Sequence, residues 1–287
     1  MDVALAFIGF GEAAAALAGG APARGFDRKT QEAATRAAKL ADFARAGVAA
    51  CADTAAAVTG AGAVLSLVTA DQALAAARAA APYLTRGALY LDMNSVAPAT
   101  KQAAARIIDA AGGRYVDVAV MAPVHPLARA VPMLVSGPAA VDGVATLTAI
   151  GMTRVEPAPG PVGTASAIKM IRSVMVKGVE ALTAECVLAA QAAGVLAPVL
   201  ASLDASPPPA TWAARADYNL DRMIVHGTRR AVEMEEVVRT LDALGTGSTM
   251  SRATVVRQHA LGALGVAAPA GLGAKLDLLL AAQDLPA

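Results

Sequence analysis

The stretch Val3–Ala14, VALAFIGFGEAA, decides the fold of this 287-residue chain. Its first six residues are a short continuous apolar run, which is the pattern of a strand buried on both faces of a parallel sheet. The run leads directly into Gly9–Ala14, a G-x-G-x-x-A turn, and then into an alanine-rich helix. A glycine turn between a strand and a helix is the setting of the dinucleotide-binding fingerprint. The stretch therefore predicts the opening unit of a dinucleotide-binding domain.

The positions of this turn differ in what they contribute. In the fingerprint, Gly9 permits the tight turn, Gly11 lets the backbone approach a pyrophosphate, and Ala14 keeps the helix close to its strand. Glu12 would stand near the phosphates, although a carboxylate in the first turn of a helix is locally favourable. The predicted cofactor contacts in the turn are Gly9, Phe10, Gly11, Glu12 and Ala13.

An acidic residue follows the next predicted strand, which should end at Gly25-Phe26-Asp27. Asp27 stands 18 residues after Gly9, about where a carboxylate accepts hydrogen bonds from the adenosine ribose of NAD. Arg28 and Lys29 follow at once and can instead bind the 2′-phosphate of NADP; a charged helix start at solvent is a third interpretation. The predicted cofactor is therefore NAD or NADP without a preference, with Asp27 and Arg28 among its contacts.

Strand-like and helical stretches then alternate as far as residue 160. The strand-like runs are Gly62–Val68, Ala88–Asp92, Tyr115–Val120 and Val131–Val135, with helices at Gln72–Ala81 and Ala99–Ala111. This alternation predicts an α/β fold with a doubly wound, mostly parallel Rossmann sheet, whose ligands bind at the carboxyl ends of the strands. Because Val68 and Thr69 stand where one of these strands ends, we predict that they also contact the cofactor.

A long helix is predicted over Val162–Leu182, after a run rich in proline and glycine that ends the preceding structure. Its polar residues recur at spacings of three or four and would form one stripe, which is either a solvated face or part of a site. The residues of this stripe are Lys169, Arg172, Ser173, Lys177 and Glu180.

Helical patterning continues to the C-terminus, and a second polar stripe in Arg222–Glu236 includes His226. That stripe faces a substrate, a partner subunit or solvent. We predict a dinucleotide-binding Rossmann domain over residues 1–160 and an all-α substrate and dimerisation domain over residues 161–287. Because this helical domain is so rich in alanine, we expect it to bury its apolar stripes in a symmetric homodimer.

Composition argues against several classes of function. A net charge of +1 and an aromatic content of 3% supply neither the basic surface nor the stacking platforms of a nucleic-acid-binding protein. One of the longest uncharged runs, Thr54–Ala70, is too short and too rich in small residues to predict a membrane span. Two cysteines fit a reducing compartment, and we expect a cytoplasmic location. The three histidines, His125, His226 and His259, lack metal-ligand spacing, so no metal site is predicted.

Two strand-end loops carry polar side chains. Asn94 and Ser95 follow the run that ends at Asp92, and their amide and hydroxyl groups can bind a substrate carboxylate or hydroxyl, or cap the next helix. His125 lies between Val124 and Pro126 in a second loop and is either structural or catalytic.

Taken in order, these motifs resemble those of the β-hydroxyacid dehydrogenases, relatives of 6-phosphogluconate dehydrogenase. Gly9–Ala14 resembles the dinucleotide turn of that family, and Asp92–Pro98 resembles its D-x-S-T substrate loop with a following proline. Asp117–Ala122 lies where the family has D-A-P-V-S-G. Gly163 and Lys169 match the spacing of G-x-G-x-x-x-K, in which the lysine is the catalytic acid/base. The segments KMIRSVMVKGVEAL and HGTRRAVEMEEV are similar to a subgroup with its own C-terminal helical domain.

The resemblance implies an NAD(P)-dependent oxidoreductase that moves a hydride between a nicotinamide cofactor and a small hydroxy acid or its carbonyl form. Lys169 is implied as the general acid/base, and Arg172 and Lys177 on the same helix face should disfavour its charged form. Reduction of an imine or ketone on the same scaffold is an alternative, as is a dinucleotide-binding sensor without catalysis. The expected substrate contacts are Asn94, Ser95, Met121, Arg172, Ser173 and His226, with Asn94 also near the cofactor.

The chain departs from the family pattern at two places. Arg172 and Ser173 stand where the family usually has an asparagine after the lysine. Met121-Ala122-Pro123 replaces the flexible glycine loop. The identity of the substrate therefore does not follow from the resemblance.

Overall fold

A computed structural model describes residues 4–18, 22–205 and 211–282 of the chain. It has two compact units, Met1–Val174 and Met175–Ala287. The division falls inside a long helix, whereas the sequence predicts a domain boundary before that helix, between residues 160 and 161. The helix starts within the first unit because the hydrogen bonds of its first turn go to the sheet of that unit.

In the described part of the chain, the first unit contains one sheet of eight strands. The strands are β1 (Leu5–Ile8), β2 (Ala23–Phe26), β3 (Val48–Ala50), β4 (Ala63–Ser66), β5 (Leu89–Asp92), β6 (Arg114–Val120), β7 (Met133–Ser136) and β8 (Val155–Pro157). Their spatial order is β3-β2-β1-β4-β5-β6-β7-β8. The order reverses between β1 and β4, which is the switch point at which doubly wound sheets bind ligands. The predicted Rossmann arrangement is confirmed.

The far edge of the sheet differs from a purely parallel arrangement. Strand β7 pairs antiparallel with β6, and β8 pairs parallel with β7. The sequence does not predict β3, β8 or the direction of β7. Both missed strands have three residues, too few for a run of alternating or apolar side chains to stand out.

The helices of the first unit lie between these strands along the chain. They are α1 (Glu12–Ala18), α2 (Ala33–Arg45), α3 (Thr54–Val58), α4 (Ala73–Ala80), α5 (Pro98–Ala110) and α6 (Ala140–Ala149). Helix α7 (Thr164–Ala192) begins in this unit and continues into the next. The predicted stretches at residues 72–81, 99–111 and 162–182 correspond to α4, α5 and the first part of α7.

The sheet is buried on both faces because successive side chains of each strand point to opposite sides. Leu5 and Phe7 of β1 belong to one apolar cluster, and Ala6 and Ile8 belong to the other. The same alternation continues in β4 and β5. Apolar runs without polar interruptions are therefore the sequence signature of these central strands.

In the described residues of the second unit, all regular secondary structure is helical. Its helices after α7 are α8 (Leu196–Asp204), α9 (Trp212–Leu244), α10 (Thr249–Gly262) and α11 (Leu272–Ala281). Ile224, Leu261 and Leu279 form its buried apolar cluster. Helices α9 and α10 approach closely enough that a Cβ atom at Gly227 would overlap the carbonyl oxygen of Gln258. The sequence Ser206-Pro207-Pro208-Pro209, whose prolines predict a rigid turn, lies outside the described residues.

Among the described helices, none is both long enough and apolar enough to cross a membrane. In the same residues, no group of three or more His, Cys, Asp or Glu side chains is arranged to hold a metal ion.

Candidate active site

A cavity of about 960 Å³ opens at the carboxyl ends of β1, β2 and β4. Ligand pockets commonly measure roughly 300–1,000 Å³, so this cavity is large enough for an extended ligand such as a dinucleotide. All ten predicted cofactor contacts lie in the described part of the chain, and eight of them line the cavity. These are Gly9, Gly11, Glu12, Ala13, Asp27, Arg28, Val68 and Thr69.

The two glycines of the turn meet different surroundings. Gly9 has a φ of 79°, and a Cβ atom there would overlap the Leu67 carbonyl oxygen and lie 2.7 Å from Cγ1 of Val68. A Cβ atom at Gly11 would meet nothing within 4 Å. The fold itself thus requires a glycine at position 9. At Gly11 the space beside the protein backbone is open, so a ligand can approach that backbone closely. This open cradle is what a bound pyrophosphate requires.

Asp27 connects the turn to the end of β2. Its Oδ2 accepts a hydrogen bond from the Phe10 N–H at 2.7 Å, and its Oδ1 accepts one from the Lys29 N–H at 2.9 Å. The carboxylate is therefore held at the cavity wall, where ribose hydroxyls can donate to its remaining lone pairs. Arg28 lies beside it and donates from Nη1 to Oε1 of Gln72 at 3.0 Å. Both the carboxylate and the guanidinium thus border the cavity, and the choice between NAD and NADP stays open.

Phe10, another predicted cofactor contact, packs its side chain into the core. Its ring is buried in the core, where it stacks on Phe43 at a centroid distance of 4.1 Å. Its N–H is already donated to Asp27. The buried ring and the N–H hydrogen bond of Phe10 therefore hold the glycine turn against the core.

Asn94, a predicted cofactor and substrate contact, is held by hydrogen bonds within the protein. The residue is buried, and its Oδ1 accepts the Val68 N–H at 2.7 Å. Its Nδ2 donates to Oγ of Ser66 at 3.0 Å and to Oδ1 of Asp92 at 2.7 Å. Because both amide hydrogens are used within the protein, Asn94 holds the ends of β4 and β5 together.

The next residue, Ser95, is exposed and meets the predicted catalytic lysine. Lys169 Nζ donates to Ser95 Oγ at 2.5 Å. The two residues are 74 positions apart in sequence and both belong to the first unit. The fold therefore brings together two of the residues that the sequence singles out, one from the loop after β5 and one from α7.

The first turn of α7 is anchored beneath this pair by a buried carboxylate on β6. Oδ2 of Asp117 accepts the N–H groups of Gly163 and Ser166, both at 3.1 Å, and its Oδ1 accepts the Ser166 hydroxyl at 2.7 Å. Gly163 has a φ of 102°, and a Cβ atom there would lie 3.1 Å from Cβ of Pro98. A glycine six residues before the lysine lets the chain enter the helix close to α5.

A buried lysine completes this network. Lys101 has no exposed surface, and its Nζ lies 3.0 Å from Oδ1 of Asp92 and 3.4 Å from Oδ1 of Asp117. It also donates to the Asp92 carbonyl oxygen at 2.5 Å. Burial, and then the nearby Asp92 carboxylate, raise the pKa of Tyr115, so its hydroxyl stays protonated and donates to Oδ2 of Asp92 at 2.6 Å.

This network is not predicted from the sequence. Lys101 lies in the helical stretch KQAAARIID, which reads like an ordinary helix with a polar face. The strands nevertheless indicate buried charges, because Asp92 and Asp117 lie in apolar runs that are predicted to be buried. A buried carboxylate requires a cation or several hydrogen-bond donors, and that requirement would have directed a search for Lys101.

The remaining predicted substrate contacts have varied surroundings. Arg172 is exposed, with Nη1 3.5 Å from the Met121 carbonyl oxygen, so the helix and the loop after β6 meet there. Ser173 donates its hydroxyl to the Lys169 carbonyl oxygen at 2.9 Å, within the helix. The side chains of Lys177 and Glu180, which complete the predicted stripe, lie outside the described residues.

The two histidines considered for the site belong to different units. His125 is exposed in the loop after β6, with Nε2 3.7 Å from Oε1 of Glu12 at the dinucleotide turn. His226 is half-buried on α9 in the second unit. Its contact with substrate stays a prediction.

Two sequence families match the chain. Residues 4–148 match the NAD binding domain of 6-phosphogluconate dehydrogenase. Residues 190–261 match a domain of unknown function, DUF1932. No curated protein is detectably similar to the chain.

Several solved structures resemble the whole chain. A conserved hypothetical protein from Sinorhizobium meliloti 1021 is 40% identical, with coverage of 97% of this chain and 96% of that chain and a TM-score of 0.62. A conserved protein described as structurally similar to 3-hydroxyacid dehydrogenases is 28% identical, with coverage of 90% and 96% and a TM-score of 0.59. An imine reductase from Myxococcus stipitatus in complex with NADP+ is 19% identical, with coverage of 91% and 94% and a TM-score of 0.73, and so shares the fold.

Proposed function

Because the chain belongs to the dehydrogenase family that has the NAD binding domain of 6-phosphogluconate dehydrogenase, we propose that it transfers a hydride between NAD or NADP and a small hydroxy acid or its carbonyl form. The observation that carries the proposal is the 2.5 Å contact between Lys169 Nζ and Ser95 Oγ. An amine beside a hydroxyl at a strand-end loop supplies a proton-transfer group and an orienting group, which is what oxidation of an alcohol requires of a protein.

Each residue of this pair has a separate task in the proposed reaction. A bound nicotinamide supplies the hydride chemistry, and the chain has to orient the substrate and move one proton. Lys169 takes the hydroxyl proton when the substrate is oxidised and returns it when the carbonyl is reduced. Ser95 hydrogen-bonds the substrate oxygen, and its contact with Nζ keeps the amine near that oxygen. Arg172, three residues along the same helix, pairs with a carboxylate of the substrate.

Reduction of a C=N bond is the second candidate. It is favoured by the loop after β6, where Met121-Ala122-Pro123 stands in place of glycines, so that the wall beside Arg172 carries side chains. Met121 is half-buried and packs against Ala119 and Ala165. An apolar wall of this kind packs favourably against the carbon skeleton of a hydrophobic imine. Imines therefore belong among the compounds to be tested.

A substrate panel tests the proposed function. Purified protein is assayed with 2- and 3-hydroxy acids, their keto acids, aldehydes and cyclic imines, each with both cofactors in the appropriate redox state. We expect turnover of a hydroxy acid and its keto acid, strongly reduced but measurable in Lys169→Met and kept in Arg106→Met, which removes an exposed cation from α5. Turnover of imines alone would move the function to C=N reduction. Cofactor binding without turnover of any compound would support a sensor.

We further propose that the protein acts as a homodimer through its helical domain. Tyr218, Val225 and Val232 recur at intervals of seven along α9 and are 56%, 49% and 59% exposed. Residues seven apart lie on one face of a helix, so these side chains form a continuous apolar stripe. Met175 and Leu182 form a similar exposed pair on α7. A second copy that covers such stripes buries them symmetrically.

A further inference from the structure

We propose that Asp117 is a positioning residue that aligns Lys169 with Ser95 by fixing the first turn of α7 to β6. The inference rests on the proposed function, because it gives Lys169 the role of acid/base. It adds a residue that does not touch the reacting atoms and acts through the helix that carries the lysine.

The Asp117 carboxylate accepts several hydrogen bonds at the start of α7. Besides the three hydrogen bonds from Gly163 and Ser166, Oδ2 of Asp117 accepts the Ser136 hydroxyl at 3.0 Å. The Ser136 oxygen in turn accepts the Ala165 N–H at 2.9 Å. Three backbone N–H groups at the start of α7 therefore end on Asp117 or on its partner. Such N–H groups have no acceptor within the helix, so a carboxylate there stabilises the helix start.

The residues that Asp117 anchors lie close along the helix to the proposed catalytic group. Ser166 and Lys169 are three residues apart, so they lie on nearly the same face of α7, about one turn apart. Asp117, Ser136 and Ser166 are all buried, so water does not replace the lost bonds when one partner moves. A tilt of the first turn would therefore move the base of the Lys169 side chain.

The same buried network also holds the loop that carries Ser95. Lys101 links Asp117 to Asp92. Oδ1 of Asp92 accepts both the N–H of Asn94, at 2.9 Å, and its side-chain amide. Asn94 directly precedes Ser95. The loop carrying Ser95 and the helix carrying Lys169 are thus fixed to one group of buried charges, and Asp117 is its link to α7.

Replacement of Asp117 by Asn tests the alignment without a large change in volume. One carboxylate oxygen becomes an NH₂ group. Because this group is a donor, it cannot accept the hydrogen bonds that the oxygen accepted. The matched control is Asp109→Asn, because Oδ1 of Asp109 accepts the Tyr115 N–H of the same strand at 3.1 Å and has no link to α7. Ser166→Ala is a milder second variant that removes only the hydroxyl bond to Asp117.

The experiment is a double-mutant cycle between Asp117→Asn and Lys169→Met, measured at a temperature at which every variant is folded. We expect Asp117→Asn to lower kcat by about 100-fold, the size of effect that a misplacement of about 1 Å produces. Ser166→Ala should lower kcat less, and Asp109→Asn should leave it within about twofold. Cofactor Kd should be unchanged in all three. In the Lys169→Met background, Asp117→Asn should cause no further loss.

Two outcomes would overturn the positioning role. The first is an unchanged kcat per folded molecule in Asp117→Asn, which would leave Asp117 with a structural role alone. The second is an equal loss of kcat with and without Lys169, which would mean that Asp117 does not act through the lysine.

Amide hydrogen exchange separates a failure of this inference from a failure of the proposed function. Exchange at Ser166 and Ala167 should be faster in Asp117→Asn and unchanged in Asp109→Asn, whatever the reaction is. If Lys169→Met retains full activity, the proposed acid/base fails, and the exchange result alone decides whether Asp117 anchors the helix. Unchanged exchange in Asp117→Asn would overturn the anchor itself.

Discussion

Gly9 and Gly11 show how two identical residues of one turn can serve different purposes. At Gly9 the backbone has a left-handed φ and lies against Leu67 and Val68. At Gly11 the space beside the backbone contains no protein atoms within 4 Å. The first glycine is therefore a condition of folding, and we propose that the second is a condition of cofactor binding.

This difference predicts opposite results for two alanine substitutions. Gly9→Ala should lower the free energy of unfolding by about 2–4 kcal/mol, because it combines a disfavoured φ with a clash against backbone. Gly11→Ala should leave that free energy within about 0.5 kcal/mol and weaken cofactor binding at least tenfold. Urea denaturation measures the first quantity, and titration of the fluorescence of the reduced cofactor measures the second. Equal loss of stability in both variants would contradict this account of the turn.

The sequence indicates which residues could form a site but not the environment of each one. Ser95 and Lys169, which the motifs single out separately, are in contact. Asn94 differs because a sequence shows an amide but does not show whether its hydrogens are already used. Lys101 was missed because helix spacing does not distinguish a lysine that faces water from one that faces two carboxylates of the sheet.

At the scale of elements, helix starts held by distant carboxylates recur in this chain. Asp117 of β6 holds the start of α7. In the second unit, Glu185 of α7 accepts the N–H groups of Met250 and Ser251, both at 2.9 Å, at the start of α10. The sequence predicts these helices but not their caps, because the capping residues come from other elements rather than from the adjacent chain.

The cap on α10 predicts a pH-dependent loss of stability. Burial alone would raise the pKa of Glu185, but the hydrogen bonds from Ser251 Oγ and the two N–H groups outweigh it and hold the pKa below 4.5. A carboxyl that is more acidic in the folded state stabilises that state above its unfolded pKa, and the contribution is lost as pH falls through the folded pKa. Glu185→Gln should therefore cost about 1 kcal/mol at neutral pH. The cost should shrink as the pH is lowered below 4.5.

Denaturation curves of wild type and Glu185→Gln between neutral and acidic pH measure this effect. Glu235→Gln is the matched control, since it makes the same change at an exposed position of α9. A constant difference between wild type and Glu185→Gln across the pH range would show that the charge on Glu185 contributes nothing to the cap.

In the molecule as a whole, the described cavity and the residues with a proposed role in catalysis lie mainly in the first unit. The dinucleotide cavity, the Lys169–Ser95 pair and the buried network all belong to Met1–Val174. The second unit presents exposed apolar side chains along its helices. We propose that it supplies the dimer interface, and His226 on α9 is its predicted contribution to substrate binding.

The dimer proposal predicts a change of mass in solution. Wild type should elute with the mass of two chains, and Val225→Lys combined with Val232→Lys should elute as one chain, because two charges in an apolar stripe cannot be buried without partners. Asn219→Lys adds a charge to α9 outside the stripe and should stay dimeric. Light scattering coupled to gel filtration gives the masses. A wild type that elutes as a single chain, or a double variant that stays dimeric, would contradict the proposed interface.

The central claim is that Lys169 moves the proton of a hydride-transfer reaction, and single-turnover kinetics test it most directly. Wild type and Lys169→Met are first titrated with cofactor and then, saturated with it, are mixed with the substrate identified in the panel. The account predicts the same cofactor Kd in both proteins and a rate constant for hydride transfer that is about 100- to 10,000-fold lower in Lys169→Met. Equal rate constants in the two proteins would contradict it.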